Sequence, residues 1–111
     1  MDFKTKVFSA VREIPKGKVI SYSQAAVAAG SPRACRAAGS VLHSNSSPDN
    51  APCHRVVHND GRLAEAYVFG GKGKQEALLK SEGVEFIVKN GDVRVDMKKC
   101  RYIFKERLLD S

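Results

Sequence analysis

The sequence predicts a mainly α-helical domain with one small β-hairpin, arranged round a helix-turn-helix. Three observations carry that expectation. Phe3, Val7, Ala10 and Val11 recur at helical spacing near the start. Two short helices with capping residues follow, joined by a tight turn at Gly30. Late in the chain, Asn90-Gly91 stands between the β-branched stretches Phe86–Val88 and Val93–Val95, which is the strongest short-range hairpin signal.

The elements follow in order. Asp2 to Glu13 reads as an amphipathic helix with Asp2 at its N-terminal end, stopped by Pro15 and Gly17. Val19-Ile20 is a short extended link. Ser21 stands three residues before Gln24, a capping-box spacing that opens a helix through Ala29, and Gly30 closes it where positive φ is required. Ser31 then caps a further helix with Pro32 at its first position, running to about His43. Ala38, Val41 and Leu42 would face the core. Ala34, Cys35, Ala37 and Gly39 leave a shallow face that carries Arg33 and Arg36. Gly39 costs a helix about 1 kcal/mol relative to alanine, so its presence needs a reason, and close approach of another surface supplies one. A plain alanine-rich helix with two solvated arginines is the alternative.

Ser44 to Asn50 is a polar loop leading into Ala-Pro-Cys-His-Arg-Val-Val, residues 51–57. Pro52 stiffens the backbone before Cys53, and Val56-Val57 suggests a short buried strand. A free thiol of pKa about 8.5 is only slightly ionised at neutral pH, so a nucleophilic Cys53 needs a base or a positive field. His54 and Arg55 are candidates for both. The residues alone leave open a structural cysteine beside a surface His-Arg pair. They also allow zinc held by Cys53, His54 and His58, although that spacing matches no standard site. Asn59-Asp60-Gly61 is a turn, Ala64 to Gly71 is irregular, and Lys74 to Glu82 is a helix with Ala77 and Leu78 inward and Gly83 just past its end. Met97 to Leu109 would form a last basic helix using Tyr102, Ile103 and Phe104.

Composition bounds the class. A chain of 111 residues makes one domain burying roughly two-thirds of its unfolded surface. Net charge is +7 and the pI near 9.5, which favours a polyanionic partner. Between Ser21 and Val57 the only acidic residue is Asp49, so this region lacks neutralising partners. No run of 18 apolar residues is present, and Met1 to Lys18 is too charged for a signal peptide. Three cysteines, an odd number, fit a reducing compartment, and an intracellular location is expected.

Three motifs now stand in order: Arg-Ala-Ala-Gly at 36–39, Pro-Cys-His-Arg-Val-Val at 52–57, and Leu-Leu-Lys-Ser-Glu-Gly at 78–83, with Ser-Tyr-Ser-Gln at 21–24 before them. In that combination the chain resembles the C-terminal domain of the O6-alkylguanine-DNA alkyltransferases, the methylated-DNA–protein-cysteine methyltransferases, from Phe3 to about Phe86. The resemblance implies a winged helix-turn-helix-like DNA-binding domain over residues 1–96, with residues 97–111 as a basic helix or tail. It implies duplex DNA carrying O6-alkylguanine as partner, no cofactor and no metal, no membrane, and a monomer working with other repair proteins. Cys53 corresponds to the alkyl-accepting nucleophile, His54 to the base acting through a water, and Glu82 to the carboxylate that orients that histidine. Tyr22 corresponds to the tyrosine that donates its hydroxyl to guanine, and Asn45 to the bridge between recognition helix and active site. Val56 matches the carbonyl that receives the exocyclic amine, and Tyr67 the tyrosine of the closing loop. Arg36 matches the finger that fills the vacancy left by a flipped base. Arg33, Ala37, Gly39 and Arg55 join it on the DNA-binding face.

The implied reaction is alkyl transfer to Cys53 in a single turnover, with the thiolate fraction of Cys53 above that of Cys35 and Cys100. The sequence departs from the family pattern at Asn45-Ser46 and at Ala64-Glu65-Ala66-Tyr67, so transfer is expected to be slow. The related alkyltransferase-like proteins, which bind alkylated DNA without repairing it, give the alternative of a lesion sensor. A helix-turn-helix transcription factor is a third class, but it leaves Cys53-His54-Arg55 without a task.

Overall fold

The computed structural model describes residues 2–65 and 67–104. Helix α1 (Phe3–Arg12) starts at Asp2, whose carboxylate accepts the Thr5 N–H at 2.8 Å. It buries Val7, Phe8, Ala10 and Val11. Strand β1 (Ile20–Ser21) leads directly into α2 (Tyr22–Ala28), and the capping box is formed in both directions. Ser21 Oγ accepts Gln24 N–H at 3.1 Å, and Gln24 Oε1 accepts Ser21 N–H at 2.9 Å. Gly30, at φ +83°, ends α2 in a Schellman arrangement: its N–H bonds Val27 O and that of Ser31 bonds Ala26 O, both at 2.9 Å.

That ending displaces the next start. Ser31 through Ala34 form a turn closed by Ala34 N–H on Ser31 O at 2.9 Å, so Ser31 is not the cap of the following helix. Helix α3 (Cys35–His43) begins at Cys35 with no side-chain cap. It buries Ala38 and Leu42 against α1 and α2, with Val41 partly covered.

A 3₁₀ turn (Cys53–Arg55) runs into strand β2 (Val56–Val57), which pairs in parallel with β1, Ile20 opposite Val56. Ile20, Val56 and Val57 have no exposure at all. Helix α4 (Gly71–Ser81) starts three residues earlier than the sequence suggests and buries Leu79 and Gln75. Leu78 is partly buried as expected, but Ala77 faces solvent. Leu79 and a polar glutamine define the inner face, which a purely apolar reading of the helix misses. Glu82 is the C-cap, and Gly83 (φ +89°) with Val84 closes the helix on Lys80 O and Leu79 O.

Strands β3 (Phe86–Lys89) and β4 (Asp92–Val95) form the expected hairpin, with Lys89 opposite Asp92 across a two-residue turn. Asn90 (φ 53°) and Gly91 (φ 83°) both take the left-handed conformation that this turn demands. Gly61, at φ +91°, is required sterically, because a Cβ there would lie 2.4 Å from Val95 O. Of the described part of the expected last helix, residues 97–104, Met97–Cys100 is helical (α5). Arg101 instead pairs with Val19 in a parallel bridge, with Tyr102 N–H on Val19 O at 2.7 Å, and Tyr102 and Phe104 pack on the core. The remainder of that expected helix lies outside the described residues. Among the described residues no helix is long and apolar enough to cross a membrane.

Candidate functional site

The site is built where the parallel pair β1–β2 meets the 3₁₀ turn. Arg55 N–H bonds Pro52 O at 2.9 Å and Cys53 N–H bonds Ala51 O at 2.8 Å, so backbone bonds hold the turn on either side of His54. Cys53 is 6% exposed and forms part of the wall of a cleft of about 840 Å³. Tyr22, Arg36, Gly39, Leu63 and Tyr67 line the same cleft. Ala64 and Glu65, the first residues of the departing loop, line it too.

Asn45 ties the loop after α3 to the thiol. Its Nδ2 donates to Ala51 O at 3.1 Å and to Cys53 Sγ at 3.5 Å, and its Oδ1 accepts Asn50 Nδ2 at 2.9 Å. Asn50 is held in turn by Arg12, whose Nε and Nη2 reach Asn50 O at 2.7 Å and Oδ1 at 2.9 Å. Arg12 and Asn50 carried no signal in the sequence, since this link joins residues 38 apart.

His54 is buried, and its Nε2 lies 3.0 Å from Glu82 Oε2. The closing turn of α4 brings Glu82 there. Burial pushes the Glu82 carboxyl up, but hydrogen bonds from Arg55 and His54 and the Arg55 charge outweigh it and hold the carboxyl below its usual range. An ionised carboxylate only accepts, so Nε2 carries the hydrogen and Nδ1 is left as the basic nitrogen. Burial lowers the His54 pKa, with the Glu82 hydrogen bond opposing it, so the imidazole is neutral at rest.

Arg55, expected on the DNA-binding face, is turned inward instead. Its side chain is 12% exposed, with Nε on Glu82 Oε1 at 3.0 Å, Nη2 on Oε2 at 2.7 Å and Nη1 on Ile14 O at 2.7 Å. Its charge is spent on Glu82 rather than on the thiol. The Cys53 pKa accordingly moves opposite to expectation: burial raises it, and the neutral Asn45 amide offsets this only in part. Burial therefore favours the protonated thiol in the resting protein.

Val56 also differs from expectation. It has no exposure, does not line the cleft, and its carbonyl accepts Gln75 Nε2 at 3.0 Å. Arg36 and Ala37 are solvent-exposed on α3, Arg33 is exposed in the turn before it, and Gly39 is partly exposed. A Cβ on Gly39 would sit 3.9 Å from two Tyr22 ring carbons, an ordinary contact, so packing within the chain does not require glycine here. The Tyr22 ring leans on His58 at 5.4 Å, and its hydroxyl is pushed up to about 12 by burial and then by Cys53 and Cys35. Tyr67 is likewise pushed up to about 12 by burial and then by Cys53 and Glu82. Its hydroxyl is buried with no hydrogen-bond partner among the described residues. An orphaned buried hydroxyl costs about 1–3 kcal/mol, which marks it as a group short of a partner. The zinc alternative finds no support: among the described residues no three His, Cys, Asp or Glu side chains converge as ligands.

Comparison with known proteins adds four findings. Residues 2–84 match the family described as 6-O-methylguanine DNA methyltransferase, DNA binding domain. The methylated-DNA–protein-cysteine methyltransferase of Mus musculus is 46% identical over 68 residues, 61% of this chain and 32% of that protein. This chain thus spans about a third of that relative's length. Alkyltransferase-like protein 1 of Schizosaccharomyces pombe is 36% identical over 84 residues, 76% of this chain and 78% of that protein. Among solved structures, S. pombe Atl1 in complex with damaged DNA containing O6-carboxymethylguanine superposes with a TM-score of 0.81 at 30% identity. That match covers 92% of this chain and 95% of that one.

Proposed function

Since this chain belongs to the 6-O-methylguanine DNA methyltransferase DNA-binding-domain family, we propose that it repairs O6-alkylguanine in duplex DNA by moving the alkyl group to Cys53. The observation that carries this reading is the thiol on the cleft wall, followed in sequence by a histidine oriented at 3.0 Å by an ionised glutamate. The same order of nucleophile, base and orienting carboxylate serves other enzymes that activate a weak nucleophile.

The lesion cannot be reached inside the duplex, so the base leaves the stack at a cost of a few kcal/mol. Arg36, exposed on α3 and lining the cleft, fills the vacancy, while the small residues Ala37 and Gly39 let the helix approach the groove closely. Entry of the base supplies the activation that the resting thiol lacks. His54 Nδ1 takes the thiol proton through one water, and Glu82 stabilises the imidazolium that forms. The sulfur attacks the alkyl carbon, forming the C–S bond as the C–O6 bond breaks. The electron pair passes to guanine, which takes a proton from the Tyr22 hydroxyl; water then returns a proton to the phenolate and removes one from the His54 imidazolium, which leaves both neutral. That phenol, at about 12, is a weak acid, so it acts late, once the bond is largely broken. The unpartnered Tyr67 hydroxyl gains a partner in the occupied cleft. The thioether product is not reversed by thiol exchange, so each molecule reacts once.

Two observations favour a second reading, a lesion sensor without transfer. The thiol pKa is raised, and the overlap with S. pombe Atl1 covers nearly the whole of both chains. Intact mass after incubation with excess O6-methylguanine duplex decides between them. One added methyl group on Cys53 supports transfer, and saturated binding with unchanged mass supports the sensor. We further propose that the protein acts inside the cell, a reading supported by its three free thiols, and that it works there as a monomer with other repair proteins.

A further inference from the structure

One buried polar side chain takes no part in the chemistry above. Gln75, on the inner face of α4, has no exposure, yet three hydrogen bonds satisfy it. Its Nε2 donates to His54 O and to Val56 O, each at 3.0 Å, and so bridges the two carbonyls that flank Arg55. Its Oε1 accepts the Ala64 N–H at 2.8 Å. Ala64 O in turn accepts the Tyr67 N–H at 3.1 Å, and Tyr67 O accepts Gly71 N–H at 2.8 Å. One amide therefore holds the turn that presents Cys53 at one end and the first residue of the cleft loop at the other. A hydrophobic residue of similar volume would fill the space, but would leave two carbonyls and one N–H unpaired in the interior.

From this arrangement we infer that Gln75 is a positioning residue that couples the loop carrying Tyr67 to the turn carrying Cys53 and His54. The loop closing over a base and the turn aiming the thiol share one rigid connector. Seating the loop thereby sets the line of attack of the sulfur. The inference rests on the proposed function for its consequence, but its geometric part stands without it.

Two variants test it. Gln75→Met cuts both links at nearly constant volume. Gln75→Glu keeps the acceptor for Ala64 and, protonated or not, donates to at most one of the two carbonyls. Amide hydrogen exchange on the free protein is read at Ala64 for the loop and at Arg55 and Val56 for the turn. Gln75→Met should lose protection at both places, and Gln75→Glu at the turn alone. With saturating O6-methylguanine duplex, the methyl-transfer rate should fall on the order of tenfold or more in both variants, since one buried hydrogen bond is worth about that factor. Binding, measured in a Cys53→Ser background, should change by less than about threefold, because phosphates dominate it. A residue that is merely structural would lower the melting temperature yet leave the saturated rate of the folded fraction unchanged, and that result overturns the inference. So does a Gln75→Glu variant in which loop and turn lose protection together. If the parent binds the lesion but its mass never changes, the transfer reading fails, and the exchange pattern alone decides the role of Gln75.

Discussion

Replacing Glu82 by glutamine removes one charge from a nearly dry cluster, and the consequences can be worked from the geometry. Glu82 accepts two hydrogen bonds from Arg55 and one from His54, all at 3.0 Å or less, and the three side chains are 11–12% exposed. Arg55 cannot lose its proton, so the variant leaves an uncompensated cation near the interior. Removing one partner of a buried pair costs about 3–5 kcal/mol, and the low end applies here because glutamine still offers an oxygen to Arg55. A domain of this size loses roughly 4 °C of Tm per kcal/mol, so Glu82→Gln should melt about 10 °C or more below the parent at neutral pH.

The pH dependence gives an independent reading. Both Glu82 and His54 have folded pKa values below their ordinary values of 4.5 and 6.5. A depressed folded pKa means stability that is present above the unfolded value and is lost as pH falls through the folded one. The parent should therefore weaken first below about pH 6.5, as neutral buried His54 must charge, and again below about 4.5 as Glu82 takes a proton. Glu82→Gln should show a smaller second decline, the remainder coming from Asp2 and Asp60, whose carboxyls are also held below their ordinary value. Thermal melts of both proteins from neutral pH to about pH 3 measure this directly. A Tm within about 3 °C of the parent at neutral pH, or an unchanged second decline in the variant, would refute the argument that Glu82 is ionised and holds Arg55 inside.

Gly39→Ala should stabilise the free protein by up to about 1 kcal/mol, since the new methyl meets only the Tyr22 ring at 3.9 Å, and should weaken duplex binding in a fluorescence titration. Stabilisation with unchanged binding would mean that α3 does not approach DNA closely. Arg36→Ala should slow reaction with duplex far more than reaction with the free alkylated base; an equal loss on both would place Arg36 in the pocket or merely in the fold. A small thiol probe at neutral pH should label half-buried Cys35 before Cys53, because Cys53 is both covered and protonated at rest. First labelling at Cys53 would show a field on the thiol that the resting geometry lacks. Cys53→Ser should bind lesion duplex with near-parent affinity and gain no methyl group by mass.

The features that a reader of the sequence can place are those closed by neighbours. Ser21 and Gln24 are three residues apart, Gly30 and Gly83 each end the helix just before them, and Asn90-Gly91 dictates its own turn. The Cys53-His54 pair and the arginine on a small-residue helix were legible for the same reason, as short motifs of unusual composition. What the tertiary structure alone decided are pairings across long separations. Arg55 reads as a surface cation until Glu82, 27 residues on, and Ile14, 41 residues back, draw it inward. Residues 101–104 read as helix until Val19 offers them an extended partner. Gln75 carries no signal in the sequence, and only the fold closes two carbonyls and one N–H round it. The thiol pKa depends on burial and on where that guanidinium points, so the spacing of Cys53 and His54 could name a candidate nucleophile but not its protonation state. Local patterns persist because one turn of backbone satisfies them, whereas desolvation and charge pairing are properties of whatever the fold brings alongside.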